Sequence, residues 1–262
     1  MIDRIREIAR YRGVLTELVR RDLRVRYEDT WLGYFWAVFE PLLMTLVYFV
    51  VFTIVGRFGI ENYALYLILG LLPWMWFVQS ISAGTKSLTA RAGLLSKIYV
   101  PREIAPLSVV ASKAVEYAVS IPVAILFIVI TGQSPSWFVA AVPLAWLLQL
   151  MFVTGAVLML SAANMLVRDV ERVLRVITRA MFYGTPILYS LQSALDGLPA
   201  YVTWLYWINP MTGILELHHA AFYPDMFAGW GIVATSTGIS TLFFVLGWVV
   251  FTRLEPLVLK EL

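Results

Sequence analysis

The chain has 262 residues, of which 60% are hydrophobic and only 14% are charged, and its formal net charge is +3. Soluble domains carry about 25% charged residues, so this composition excludes an ordinary soluble protein and predicts a membrane protein built from α-helices. The absence of cysteine excludes disulfide bonds, thiolate metal sites and cysteine nucleophiles.

The N-terminal segment, residues 1–32, is highly charged and has no apolar core of the kind found in signal peptides. Between Val14 and Leu23, apolar residues recur at helical spacing opposite Arg20 and Arg24. The pattern predicts a cytoplasmic amphipathic helix that lies in the lipid headgroup layer. A soluble helix packed on a partner is the alternative.

Six apolar segments follow, each near the roughly 20 residues that a bilayer span requires. Together they define a transmembrane domain over residues 33–256, followed by a cytoplasmic tail at 257–262. The predicted spans are approximately 33–55, 63–83, 104–130, 137–166, 173–191 and 228–251.

Two apolar stretches are interrupted by polar residues. The fifth predicted span contains Arg175 and Arg179, which makes it the weakest of the six. Residues 199–222 are apolar as well, but Pro210 and Glu216 break the stretch. We therefore expect short re-entrant or interfacial helices there rather than a seventh span.

The distribution of basic residues predicts the orientation. With six spans and a cytoplasmic N-terminus, nineteen of the twenty basic residues fall in inner segments or at the inner ends of adjoining spans, and only Arg57 falls outside. The positive-inside rule predicts this bias. An odd number of spans would put Arg253 and Lys260 outside, so both termini are predicted to be cytoplasmic.

Three ionisable residues fall inside predicted spans, where charged groups are costly and are functional candidates. They are Glu40 in the first span and Lys113 and Glu116 in the third. An ion-coupled carrier would use them. Alternatively, they are buried polar groups that pair with neighbours.

Catalytic patterns are sparse. Glu216 and His219 are three residues apart on a predicted helix, but no third ligand lies nearby, and no Ser-His-Asp set is readable. Residues 84–87 (GTKS) lack the upstream glycine and the Gly-Lys adjacency of a phosphate-binding loop. We predict no catalytic, metal or cofactor site, and a transport subunit rather than a membrane-embedded glycan enzyme. Any ATP that drives it must bind to another chain.

Aromatic residues also occur in the middle of spans, where the interfacial belt does not explain them. They are Phe39 and Tyr48 in the first span and Phe182 and Tyr183 in the fifth. Aromatic faces can stack on sugar rings, so these residues are candidates for lining a glycan conduit, with helix packing as the alternative.

Several motifs, in order along essentially the whole chain, resemble the membrane subunit of ABC-2-type polysaccharide exporters. These include LVRRDLRVRYEDTWLGYFWAVFEPL (18–42), LLSKIYVPREIAPLS (94–108), RDVERVLRVITRAMFYGTPILYS (168–190) and INPMTGILELHHAAFY (208–223). The family includes the permeases that export O-antigen, teichoic acid and cell-wall galactan. Glu40 and the pair His218-His219 depart from its pattern.

The resemblance implies a homodimer of six-span subunits joined to two cytoplasmic ABC ATPase subunits, which would bind ATP and Mg. The substrate would be a polysaccharide on a polyprenyl diphosphate, exported across the bacterial plasma membrane. The resemblance also implies contact with membrane lipids, and it implies no binding of nucleic acid. Short outer helices between the fifth and sixth spans would gate the exit, with Asn209, Pro210 and Glu216 as candidates.

The segment between the second and third spans is similar to a coupling helix that docks into the ATPase. Its apolar residues would fill a cleft and its charged residues would pair at the rim. Pro101 would be the first helical residue of the third span. The candidate residues are Leu94, Leu95, Lys97, Ile98, Tyr99, Pro101, Arg102 and Glu103.

Arg175 and Arg179 are candidates for binding the diphosphate head group, because a guanidinium pairs bidentately with phosphate oxygens. The alternative is that they only contribute to the positive-inside charge. Two other functions are alternatives for the whole chain. One is an ABC-2 permease for a drug or small lipid, and the other is an ion-coupled secondary carrier.

Overall fold

The computed structural model describes residues 2–28, 31, 33–55, 59–97 and 100–261. Within these residues the regular secondary structure is helical and no strand is present, in agreement with the predicted all-α class. The α-helices are α1 (Ile2–Arg10), α2 (Arg12–Tyr27), α3 (Trp36–Val55), α4 (Tyr63–Thr85), α5 (Ser87–Ala90), α6 (Ala92–Leu95), α7 (Ile104–Thr131), α8 (Val142–Leu166), α9 (Val170–Tyr183), α10 (Leu191–Gly197), α11 (Ala200–Ile208), α12 (Pro210–Ala220) and α13 (Trp230–Glu261).

Four helical segments in the described part of the chain are long and apolar enough to cross a membrane. They are Tyr63–Thr85, Ile104–Thr131, Trp137–Leu166 and Trp230–Leu257. Their positions agree with the second, third, fourth and sixth predicted spans. The first predicted span corresponds to α3, whose apolar part is the shorter stretch Trp36–Phe52.

The fifth predicted span requires a correction. Helix α9 has 14 residues and ends at Tyr183, where the amide of Gly184 donates to the carbonyl of Ala180. Residues 184–190 form a non-helical connection to α10. Pro186 explains the break, since it has no amide hydrogen and its ring clashes with the preceding helical turn. The stretch 173–191 is therefore one short helix and a loop.

Short helices also form between this loop and α13, as predicted. Two of them, α10 and α11, have exposed residues, whereas every residue of α12 is buried. Helix α12 packs against α13, α8 and α4. Residues 210–220 therefore belong to the helical core of the subunit.

The apolar face of the N-terminal segment packs on the protein itself. Leu18 of α2 is buried in a cluster with Leu88, Ile104 and Phe251, and Leu15 packs against the same cluster. Helix α2 also packs against α7. Part of the apolar stripe that was predicted to face lipid is therefore used to attach α2 to the other helices.

Candidate functional site

A cavity of about 500 Å³ lies between α3, α4 and α9 and is open on one side. Some of the lining residues from α3 and α9 were predicted to contact the substrate, and residues of α4 complete the wall of the cavity. The lining residues are Glu40, Met44, Tyr48, Leu71, Trp74, Met75, Val78, Gln79, Thr178, Arg179, Phe182 and Tyr183.

The middle of the cavity is aromatic. The rings of Tyr48 and Phe182 have centroids 5.3 Å apart, and Trp74 and Tyr183 lie 5.7 Å and 5.3 Å from Phe182. Three of the four predicted conduit residues thus come together. Phe39 does not line this cavity, and its ring lies near Phe35 and Trp36 instead.

Polar side chains meet the aromatic wall. In the described part of the chain, neither the Gln79 amide nor the Arg179 guanidinium has a hydrogen-bond or ion-pair partner, and both line the cavity. The Thr178 hydroxyl donates to the carbonyl of Leu174 at 2.8 Å and keeps its lone pairs available. The cavity therefore combines apolar ring faces with unused donors and acceptors.

A second cavity of about 190 Å³ adjoins the first along α4 and α9. Arg179 and Thr178 line both, and Arg175 lines only the second. At the start of α9, Glu171 forms an ion pair with Lys86 at 2.7 Å. The hydrogen bond from Lys86 lowers the pKa of the Glu171 carboxyl below its ordinary value. Arg175 and Arg179 therefore line one groove, and Arg179 lies where the two cavities meet.

The intramembrane charges form a compact network. Lys113 donates to both carboxylate oxygens of Glu116 at 2.7 and 2.9 Å. Arg26 of α2 lies 3.2 Å from Glu116 and 3.4 Å from Glu40. Two cations and two carboxylates neutralise each other, which agrees with the paired-group interpretation of Glu40, Lys113 and Glu116.

The predicted docking segment is only partly available to a partner. Leu95 is 3% exposed and packs in the same cluster as Leu18, and Glu103 is 2% exposed and pairs with Arg4 at 2.7 Å. Both residues are therefore removed from the predicted docking surface. Lys97 is exposed and Leu94 is partly buried.

The remaining residues of that segment differ in position. Ile98 and Tyr99 lie outside the described residues. Arg102 is half-buried and donates to the carbonyl of Val100 at 3.3 Å. Pro101 is not the first residue of the third span, because α7 begins at Ile104.

The predicted outer-gate residues contribute to structure at α12. The side chain of Asn209 accepts a hydrogen bond from the amide of Met211 and donates one to Thr185 at 2.8 Å. Pro210 is the first residue of the helix, where a missing amide hydrogen is tolerated. Glu216 is 3% exposed and accepts a hydrogen bond from the amide of Ala228 at 3.0 Å.

The histidines at the end of α12 have separate partners. His219 stacks on Tyr66 with centroids 3.9 Å apart, and its Nε2 donates to the Tyr66 carbonyl. His218 lies 3.3 Å from the hydroxyl of Tyr117. No group of three metal-ligating side chains occurs among the residues that the structure describes. Glu216 and His219 therefore serve different neighbours.

Sequence reasoning missed Trp74 and Gln79, which form part of one face of α4. Leu71, Trp74, Met75, Val78 and Gln79 recur at the i, i+3, i+4 spacing that aligns side chains on a helix. This spacing was the available signal. It is weak because nearly all other residues of α4 are apolar as well, so no face is distinguished by hydropathy.

The fold and the cavity define a helical membrane protein of the transporter class. Residues 14–223 match the ABC-2 type transporter family, and the chain belongs to that family. The resemblance predicted from the motifs is thus confirmed, and family membership implies an ABC ATPase partner.

The relatives of this chain include export-system permeases and a transport protein. The chain is 34% identical over 223 residues to the O-antigen export system permease protein RfbA of Myxococcus xanthus, with 85% of each chain covered. It is 34% identical over 236 residues to the protein of the same name from Klebsiella pneumoniae, with 87% of this chain and 90% of the relative covered. It is 22% identical over 214 residues to the polysialic acid transport protein KpsM of Escherichia coli, with 79% and 80% covered.

Proposed function

We propose that this chain is the membrane subunit of an ATP-driven exporter. Its substrate would be a polysaccharide of the O-antigen, teichoic acid or galactan type on a polyprenyl diphosphate, moved outwards across the bacterial plasma membrane. The observation that carries the proposal is the cavity in which Tyr48, Phe182 and Tyr183 meet the unpaired guanidinium of Arg179. A cavity of this composition suits a ligand that has both sugar rings and negative charge.

The aromatic wall suits a moving carbohydrate. Ring faces pack on the apolar faces of sugars without requiring a particular sequence of residues in the polymer. The amide of Gln79 and the carboxylate of Glu40 offer hydrogen bonds to hydroxyl groups from the neighbouring wall. Weak contacts repeated along a path allow a polymer to bind and still advance.

The diphosphate would bind at the arginines of α9. Arg175 and Arg179 are four residues apart, so their side chains lie on one helix face. Neither has an ion-pair partner in the described residues, and both line the smaller cavity. A cationic groove that leads into an aromatic cavity suits a charged head group followed by sugars.

A second copy of this chain would close the open side of the cavity. Helices α3 and α9 both line the cavity and expose apolar residues such as Val47, Val50, Val176 and Ile177. Exposed apolar faces beside a substrate cavity fit an isologous dimer interface. We infer a homodimer of six-span subunits, in which the short helix α9 and the loop 184–190 together make the fifth crossing, with both termini cytoplasmic and with α10–α12 near the outer side.

The ATPase would bind near the segment between α4 and α7, and it would supply ATP and Mg. Lys97 and Leu94 remain candidates for this contact, since they are not fully enclosed by the chain itself. We assign no enzymatic step to this subunit. An ion-coupled carrier is not favoured, because Glu40, Lys113 and Glu116 form a neutral network with Arg26.

Depletion of the protein tests the proposed function directly. We expect the lipid-linked glycan of the cell to accumulate on the cytoplasmic side while the same glycan disappears from the surface. The measurement is lipid extraction followed by glycan analysis, with a spheroplast protection assay to assign the side. Normal surface glycan after depletion would contradict the proposal, and accumulation of a small lipid or drug would favour a different ABC-2 permease.

Removal of one exposed ring should slow export. Tyr183 is 69% exposed, so Tyr183→Ala costs little packing but removes part of the aromatic wall. Stacking of about 0.5–1.5 kcal/mol predicts a roughly two- to tenfold fall in the rate at which surface glycan reappears after induction. Tyr183→Phe keeps the ring and should retain most of that rate.

A matched control is available outside the cavity. Tyr201 of α11 is 77% exposed and does not line the cavity, so Tyr201→Ala should leave export unchanged. If the two alanine variants behave alike at equal protein levels, the ring of Tyr183 has no special role in the path.

A further inference from the structure

Helix α2 carries two charged residues that contact different parts of the protein. Asp22 and Arg26 are four residues apart, which puts them on the same face with a rise of about 6 Å between them. The carboxylate of Asp22 accepts a hydrogen bond from Arg91. The guanidinium of Arg26 pairs with Glu40 and with Glu116.

The first of these contacts reaches the segment between α4 and α7. Arg91 lies in the turn that joins α5 to α6, and its side chain is 10% exposed. Besides Asp22, it donates to the carbonyl of Ala105 at 2.7 Å and to the hydroxyl of Ser108 at 2.6 Å. One guanidinium therefore joins the turn, α2 and the first turns of α7.

The second contact reaches the wall of the candidate substrate cavity. Glu40 lines that cavity and also a small polar cavity that contains Arg26, Lys113 and Glu116. Since Glu116 is 9% exposed, its ion pairs are screened less than those at the surface. Arg26 therefore holds α2 to both α3 and α7.

We propose that α2 is a lever that transmits movement of the segment between α4 and α7 to the substrate cavity. Asp22 and Arg26 are its two positioning residues. Movement of Arg91 would displace Asp22 through their ion pair. Because α2 is rigid, Arg26, one helical turn further along, would move with Asp22. Arg26 would then displace Glu40 in the cavity wall. The inference rests on the proposed function, because it requires an ATPase that moves this segment.

The connection runs beside the covalent path through Pro101 into α7 and reaches the cavity wall through Glu40 of α3. It also gives Glu40 a role, although this residue departs from the family pattern. Because the contacts are direct and a packed helix lies between them, the path consists of elements that can move together. Helix α2 packs on α7, and Leu18 anchors it in the cluster that contains Leu95.

The test uses the complete complex with its ATPase, reconstituted in vesicles that contain the cell's own lipid-linked glycan. The variants are Asp22→Asn and Arg26→Gln, with Arg26→Lys as the conservative replacement. We expect glycan export per ATP hydrolysed to fall by about fivefold or more, as for a typical coupling between sites. Complex assembly and basal ATP hydrolysis should stay close to those of the parent protein, whereas a lower melting temperature is expected because a partly buried ion pair loses one partner.

The control pair is on the same helix. Glu17 and Arg20 also form an ion pair, at 2.7 Å, but both are more than 60% exposed, and among the described residues no ion pair joins either of them to Arg91, α3 or α7. Glu17→Gln and Arg20→Gln should therefore leave export per ATP unchanged. Arg26→Lys should restore part of the coupling, since lysine keeps the charge but cannot bridge two carboxylates as a fork.

The double variant Asp22→Asn/Arg26→Gln distinguishes one path from two. If both residues belong to one lever, glycan export per ATP hydrolysed should be no lower in the double variant than in the more impaired of the two single variants. Unchanged coupling in the single variants would overturn the proposal, as would a loss of export that only parallels loss of assembled complex. If the parent complex exports no glycan and its depletion has no effect on glycan, the proposed function itself fails.

Discussion

Replacement of Arg179 by glutamate is expected to abolish export while the protein still inserts and assembles. Arg179 is exposed and lines both adjoining cavities, so the substitution leaves no cavity in the core. It puts a carboxylate where the proposed diphosphate would bind and adds a second negative group to a cavity that already contains Glu40. Repulsion then replaces a bidentate attraction.

The size of the effect follows from the change of sign. A hydrogen bond to a charged group contributes about 1.5–3 kcal/mol, and a reversed charge adds a penalty to that loss. We therefore expect export to fall at least about 100-fold, below the detection of surface glycan by blotting. Arg179→Lys, which keeps the charge without the planar fork, should give an intermediate rate.

Arg172 provides the matched control for this experiment. It lies on the same helix, is 77% exposed and pairs with Asp169 rather than lining either cavity. Arg172→Glu makes an equal change in net charge and should export normally. Equal loss of export in both variants would indicate that α9 needs only positive charge at the inner face, which was the alternative interpretation of these arginines.

The prediction of the apolar helices succeeded because the bilayer imposes a simple length rule. Three of the four long apolar helices lie within two residues of their predicted bounds, since continuous hydrophobic runs leave little choice of boundary, whereas α13 continues ten residues past the predicted end at 251. The fifth span was different. Its apolar residues continue past Pro186, so hydropathy alone gave no reason to end the helix at Tyr183.

The candidate site was predictable where a residue type was unusual for its surroundings. Tyr48, Phe182 and Tyr183 were found because aromatic rings in the middle of a span are not explained by the interfacial belt of aromatic residues. Gln79 and Trp74 were not, because their role depends on which face of α4 meets α3 and α9. Only the packing of the three helices determines that face.

Ion pairs between residues far apart in the sequence were the reason that contacts of the segment before α7 could not be predicted. Glu103 looked available for a partner, yet it pairs with Arg4, which is 99 residues earlier in the chain. Arg4 also pairs with Glu255 of α13 at 2.6 Å. Spacing rules predict partners three or four residues away, so contacts that join α1, α7 and α13 are invisible to them.

Replacement of Gly155 by alanine is expected to destabilise the subunit strongly. Gly155 of α8 faces α13, and a Cβ atom there would overlap the carbonyl oxygen of Phe243 and approach the Cα of Phe244 to 2.6 Å. On the other helix, a Cβ on Gly247 would approach the Cα of Gly155 to 2.6 Å. The obstacles are backbone atoms, which cannot move aside as a flexible side chain can.

The two helices would have to separate to admit the methyl group. Close approach of backbones through small residues is a common basis of helix association in membranes, where the lipid gives no hydrophobic force between helices. Overpacking of a tight interface costs about 1–3 kcal/mol or more, which exceeds the roughly 1 kcal/mol that alanine gains over glycine in a helix. We therefore expect a lower melting temperature in detergent and reduced protein in the membrane.

Gly238 makes the comparison decisive, because it lies in the same helix α13 and a Cβ there would meet no atom within 4 Å. Gly238→Ala should keep or raise the melting temperature, since only the conformational gain remains. The measurement is thermal unfolding of the purified subunit by intrinsic fluorescence, with Gly155→Ala, Gly247→Ala and Gly238→Ala made in parallel. If Gly155→Ala unfolds at the temperature of Gly238→Ala, helices α8 and α13 do not cross as closely as these contacts require.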